Sequence, residues 1–226
     1  MASRTPSSTC TKRRADEAAC TWWLPVFTAR FQEWVRAGAR RLVPALRLLG
    51  FTPNTLTLVG LAICAASAVL VALGHLIPGG ILLLLASAFD ILDGAVARVT
   101  GKVYRYGAFL DSTTDRYAES FTYIALLWYF IIQQPGHTIE PMLVIVALTG
   151  SLLVSYVRAR AQSLGFVCDG GVFARPERVV LTVVGLLVPP ILFGCLVALA
   201  VFTNITAVQR IWFVWRQSLK TAPADT

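Results

Sequence analysis

The chain has 226 residues, of which 56% are hydrophobic and only 14% charged, and its formal net charge is +8. With a mean hydropathy of +0.67, this composition excludes an ordinary soluble domain and points to a protein built into a bilayer. The positive balance does not read as nucleic-acid binding, which needs a basic face on a soluble module, and five scattered cysteines offer neither a disulfide framework nor a zinc spacing.

Residues 1–22 are polar and mixed in charge, lack the apolar stretch of a signal peptide, and read as a disordered tail. Over residues 23–50, Phe27, Phe31, Trp34 and Val35 recur at helical spacing, with Arg30, Arg36, Arg40 and Arg41 among them. That pattern predicts an amphipathic helix lying on the cytoplasmic leaflet. Apolar runs able to cross a bilayer, which takes roughly 20 helical residues, begin near residues 54, 79, 107 and 141. A longer apolar region extends from Val179 to Trp215, and Pro189-Pro190 divides it, because proline lacks a backbone donor and clashes with the preceding turn. The expected fold is therefore all-α and integral to the membrane, with six transmembrane helices within residues 51–217 and a short tail at 218–226. The absence of an internal repeat argues against transporter folds built from inverted halves.

The basic residues orient this arrangement. Of the 20 Lys and Arg, nine precede the first span, and the rest fall around the second and fourth connections and in the C-terminal segment. None lies in GHLIPGG, in QQPGHTIEP or around Pro189-Pro190. Six spans with both termini in the cytoplasm put every basic residue on one side, whereas five would leave Arg210, Arg216 and Lys220 outside. The expected setting is the cytoplasmic (inner) membrane.

The stretch FDILDGAVARVTGKVYRYGAFLDSTTDR, residues 89–116, places Asp90, Asp93, Asp111 and Asp115 within this membrane-spanning sequence. Each ionisable group at membrane depth costs at least ~2.5 kcal/mol on insertion scales, so the four together need a physical reason. If one helix ends near Arg98 and the next begins near Gly107, a rise of ~1.5 Å per residue puts Asp90 and Asp115 ~12 Å in from the cytoplasmic end. Asp93 and Asp111 then lie ~7.5 and ~6 Å in, by the same rise. Spacings of three and four residues keep each pair on one helical face, so two antiparallel helices can aim four carboxylates at one cavity. Hard oxygen ligands of this kind suit Mg²⁺ or Mn²⁺ with phosphate oxygens completing the coordination, and four negative charges can accommodate two such ions. The competing reading is a structural ion-pair network with Arg98, Arg105 and Arg116. Gly94 and Gly107 favour the site, since glycine admits a closely approaching backbone or ligand.

The pattern Asp90-x2-Asp93-Gly94-x2-Ala97-Arg98-x8-Gly107-x3-Asp111-x3-Asp115 resembles the signature of the CDP-alcohol phosphotransferase family at every fixed position. The resemblance extends to the leading surface helix, the six spans and the charged cytoplasmic connections. It implies metal-dependent transfer of a phosphatidyl group from CDP-diacylglycerol to an alcohol with release of CMP, and a homodimer in the membrane lipid. It also implies roles: Asp90, Asp93 and Asp111 as metal ligands, Asp115 assisting them and acting as the base on the acceptor hydroxyl, and Gly94 and Arg98 against the pyrophosphate. TPNTLT, residues 52–57, resembles the family's nucleotide-pocket stretch, which makes Asn54 and Thr57 candidates, although Thr52, Pro53 and Asn54 read equally as a helix start.

SYVRARAQSLG, residues 155–165, and RPERVV, residues 175–180, resemble the members that use inositol phosphate as acceptor; those often carry lysine where Arg158 stands. Arg158, Arg175, Arg178 and Arg210 become candidates for the acceptor phosphate, a group that convergent guanidinium forks bind well. Each also reads as an arginine snorkelling to the interface. Glycerol 3-phosphate, serine and free inositol are the alternative acceptors. An ion-coupled transporter is a third reading, against which the clustering of the acids near one face counts.

Overall fold

A computed structural model of the chain describes residues 52–100, 104–168, 171 and 173–221. The expected tail at 1–22 and surface helix at 23–50 lie outside the described residues. Those described form six α-helices: α1 (Pro53–Ala72), α2 (Leu76–Thr100), α3 (Arg105–Trp128), α4 (Ile139–Ser163), α5 (Arg175–Leu187) and α6 (Leu192–Thr221). A π-helical turn, Tyr129–Gln133, prolongs α3, and a 3-10 turn, Pro189–Ile191, separates α5 from α6 at the expected diproline.

Local chemistry accounts for the helix boundaries. Thr52 caps α1, its hydroxyl accepting from the Thr55 amide at 3.2 Å, with Pro53 in the first turn. Two connections are shorter than the sequence suggests, because LIPGG and IEP already belong to α2 and α4. Pro78 and Pro141 fall in first turns, where the amide has no intrahelical partner to lose. Gly79 and Gly80 are helix contacts and not turn residues: a Cβ would lie 2.5 Å from Val71 Cγ2 at the first and 3.0 Å from Leu186 Cβ at the second. The turn between α1 and α2 rests instead on Gly74, whose φ of 87° favours glycine. The α2 helix runs two residues past Arg98 and α3 starts two before Gly107, which seats the carboxylates ~3 Å deeper than expected.

The helices close a ring. The α1 helix packs on α2 and α3, α3 on α4, α4 on α6, α6 on α5, and α5 back on α2. The core holds Val71, Leu126, Ala147, Leu186 and Leu196, all fully buried. Outward faces carry Leu58, Val69, Ile77, Ile81, Leu84 and Leu85 exposed, an apolar surface too extensive for a water-facing monomer. Asn54–Ala72, Ile139–Ser163 and Pro189–Leu219 are long and apolar enough to cross a membrane. The others fall short for a chemical reason: α2 and α3 carry the motif's acids, and α5 has only 13 residues with Arg175, Glu177 and Arg178 at its start. Six helices stand where they were expected, while apolar length alone supports three crossings.

Without much hydrophobic drive between helices in lipid, close packing depends on small residues and interhelical hydrogen bonds. At the α4–α6 contact, a Cβ on Gly150 would collide with the Thr203 hydroxyl and lie 2.7 Å from Asn204 Nδ2, and Asn204 donates across to the Val146 carbonyl at 3.2 Å. Gly150→Val is expected to destabilise the fold by ~1–3 kcal/mol through overpacking. A melting curve in detergent superimposable on that of the wild type would show that α4 and α6 separate freely.

Candidate active site

Because α2 and α3 both pack on α1, their acids meet across a cavity instead of along a shared helix contact. One carboxylate oxygen from each of Asp90, Asp111 and Asp115 lies within 4.8 Å of the others, and all three residues are partly buried. Asp93 and Arg98 belong to α2 one and two turns beyond Asp90; their side chains lie outside the described residues. The cavity runs inward from the acids between α1, α2, α3 and α5, lined by Thr57, Gly60, Cys64, Glu119 and Tyr123 among others.

The α5 helix packs on α2 and α6, so its arginines must cross the cavity to reach α3. Arg175 does so as a bridge: one Nη donates to Asp90 at 2.8 Å and the other to Asp115 at 2.5 Å. One turn further in, Arg178 Nε donates to Glu119 at 2.7 Å, a pair whose side chains are 2% and 8% exposed. Each guanidinium offers five donors in a planar fork, so neither carboxylate exhausts it. Both arginines lie in the first turns of α5, whose N-terminus adds partial positive charge at the same place. The competing reading pairs the acids with Arg98, Arg105 and Arg116; the Arg98 side chain lies outside the described residues, and among the described pairs Arg175 holds the acids most closely. Arg116 reaches Asp115 only at 3.5 Å.

The other sequence candidates divide by position. Thr57 lines the cavity with Asp90, Asp115, Arg175 and Arg178. Asn54 is half-buried on α1, its Oδ1 lying 3.3 Å from where a Cβ on Gly107 would stand, so that glycine makes room for the asparagine. Gly94 is half-buried on α2. Arg210 is buried on α6, where an Nη donates to the Val154 carbonyl at 2.7 Å, and Arg158 is exposed on α4. Neither lines the cavity as described. Sequence reading passed over Glu119, yet its signal was present: Asp111, Asp115 and Glu119 recur every four residues along one face of α3.

Residues 51–215 match the family model described as CDP-alcohol phosphatidyltransferase. The chain belongs to that family. It is therefore a transferase and an integral membrane protein, which sets the transporter reading aside. Among curated relatives, it is 39% identical to the phosphatidylinositol phosphate synthase of Mycobacteroides abscessus, over 64% of this chain and 66% of the relative. It is 38% identical to the enzyme of the same name from Corynebacterium glutamicum, over 72% of this chain and 77% of the relative. The fold matches crystal structures of the Mycobacterium tuberculosis phosphatidylinositol phosphate synthase. The structure with CDP-DAG bound aligns at TM-score 0.74 and 33% identity, over 82% of this chain and 95% of that one. The structure with manganese and citrate aligns at TM-score 0.73 and 32% identity, over 82% and 90%.

In this phosphatidyltransferase, then, Asp90, Asp115 and the arginines of RPER line one cavity, with Asp111 beside them. Acids alone would suit a cation and arginines alone an anion; together they suit a reaction in which phosphate and metal meet.

Proposed function

We propose that this chain transfers a phosphatidyl group from CDP-diacylglycerol to a hydroxyl of inositol phosphate, releasing CMP, at the cytoplasmic face of the inner membrane. The observation that carries the reading is the pair of arginines on α5 facing the acids of α3 across the cavity. A phosphorylated acceptor supplies the anion those arginines can share. The names of the relatives and the CDP-DAG-bound neighbour support the same assignment. In this reading all six helices cross the bilayer, and the short or charged ones are tolerated because their polar faces line the ring's interior.

The donor set fits a divalent cation: three carboxylate oxygens within 4.8 Å of one another are hard ligands at a spacing that small side-chain rotations can close. Asp90, Asp93, Asp111 and Asp115 would hold two Mg²⁺ or Mn²⁺ ions, and the manganese-bound neighbour supports that choice. When bound, such ions neutralise charge developing on the phosphoryl oxygens. Asp115 takes the proton of the acceptor hydroxyl as its oxygen bonds to the phosphatidyl phosphorus and the bond from that phosphorus to the departing CMP breaks. Gly94 and Arg98 lie along the pyrophosphate, and Asn54 and Thr57 face the nucleotide. Arg175 exchanges its carboxylates for the acceptor phosphate, which Arg178 also contacts, with Arg158 and Arg210 completing the basic wall.

Purified protein supplied with CDP-diacylglycerol, inositol phosphate and Mn²⁺ is expected to release CMP, and a chelator is expected to stop it until Mg²⁺ or Mn²⁺ is restored. Undiminished release in excess chelator would remove the metal from the reading. Glycerol 3-phosphate also carries a phosphate for these arginines and is the second acceptor to test; serine and free inositol do not, and should be poor substrates.

A further inference from the structure

We propose that Glu119 is a positioning residue for the acceptor site, fixing the Arg178 guanidinium so that its terminal nitrogens face the acceptor's phosphate. The inference rests on the acceptor reading above and extends it to a residue outside the motif. Glu119 stands one turn of α3 inward from Asp115, and Arg178 one turn of α5 inward from Arg175. The two cross-cavity pairs thus form successive rungs, the outer shared with the metal-site acids and the inner made by Glu119 alone.

The geometry of the inner rung separates holding from binding. Arg178 uses Nε toward Glu119, and among the described residues that is its only side-chain hydrogen bond. The remaining four N–H donors are on the two Nη atoms, and Arg178 lines the cavity. Glu119 lines it too, but its Oε2 is buried with no hydrogen-bond partner among the described residues, so the bond from Arg178 Nε is what holds this carboxylate in place. A guanidinium this buried cannot sweep the cavity as a free arginine would. The carboxylate selects its orientation in advance, and preorganisation of that kind lowers the ordering cost of binding. The floor is stiff as well: the Thr182 hydroxyl donates to the Arg178 carbonyl at 2.9 Å, and Tyr123, one turn below Glu119, is 2% exposed with its hydroxyl 3.4 Å from that of Ser151.

Glu119→Gln keeps the shape and an acceptor oxygen while removing the charge. In steady-state CMP-release assays it is expected to raise the KM for inositol phosphate ~tenfold, the weight of one charge-assisted hydrogen bond, and to leave the KM for CDP-diacylglycerol unchanged. The same substitution in an Arg178→Gln background should add nothing further, because the arginine it positions is gone. Wild-type enzyme is assayed first with inositol phosphate and with free inositol; a preference for free inositol would defeat the acceptor reading itself. If wild type prefers the phosphorylated alcohol but Glu119→Gln retains its KM, shifts both substrates equally, or adds to Arg178→Gln, the positioning role is overturned. Should Glu119→Gln not accumulate, Glu119→Asp keeps the charge and shortens its reach. It is expected to raise the same KM to a smaller degree, and an unchanged value there would equally overturn the proposal.

Discussion

Asp90→Asn is expected to abolish CMP release, by on the order of a thousandfold or more, in a protein that still folds and still aligns Arg175. Loss of a single neutral transition-state donor already costs about 10²–10³ in rate, and here a whole ligand charge disappears from a cluster of three described acids. Folding survives because the asparagine oxygen can still accept the Arg175 hydrogen bond now made at 2.8 Å. Asp93→Asn should behave likewise. Asp115→Asn is expected to separate two roles: single-turnover chemistry should collapse while CDP-diacylglycerol binding changes little, since the lost function is proton removal from the acceptor. Radiolabelled CMP release and direct lipid-nucleotide binding would be measured side by side. Near wild-type turnover of Asp90→Asn in saturating Mn²⁺ would refute the ligand assignment, and a parallel loss of binding in Asp115→Asn would make it a metal ligand first.

The second large effect concerns the arginines. Arg175→Gln and Arg178→Gln should each raise the KM for inositol phosphate roughly tenfold to a hundredfold, since a hydrogen bond to a charged group contributes ~1.5–3 kcal/mol, with little change for CDP-diacylglycerol. The two are not expected to be equivalent. Arg178 is paired with Glu119 at 2% exposure, so its removal takes away a buried carboxylate's hydrogen-bond partner and should also lower the melting temperature. Arg175 is 29% exposed and shared between two acids nearer the cavity mouth, so its loss should cost less stability than that of Arg178 and weigh mainly on binding. Arginine variants that lose only expression, with acceptor KM intact in what remains, would reduce both residues to anchors.

The helical plan was legible because it depends on local chemistry. A threonine cap at Thr52 and the diproline at Pro189-Pro190 act within a few residues, and both stand where the helix boundaries were read. Where the reading erred, at GHLIPGG and QQPGHTIEP, a turn-forming composition was taken at face value. Gly79 and Gly80 serve contacts with Val71 and Leu186, and distant partners leave no local mark. The clustering of Asp90, Asp111 and Asp115 was equally legible, because acids in an apolar run carry an insertion cost that demands partners.

By itself, then, the sequence determined that the chain is helical and membrane-embedded, that its acids share helix faces, and to which family signature they conform. Periodicity and burial cost are one-dimensional properties, readable along the chain. Which charges meet was decided only by the tertiary structure. The ring of helices brings Arg175 across 60 residues of chain to Asp115, and Arg178 across 59 to Glu119, while Arg210 is turned to the α4 backbone. A hydrogen-bonded ion pair needs its atoms within about 3 Å, so which pairs form depends on how α5 is seated against α2 and α6, a fact of packing that no spacing along the chain encodes.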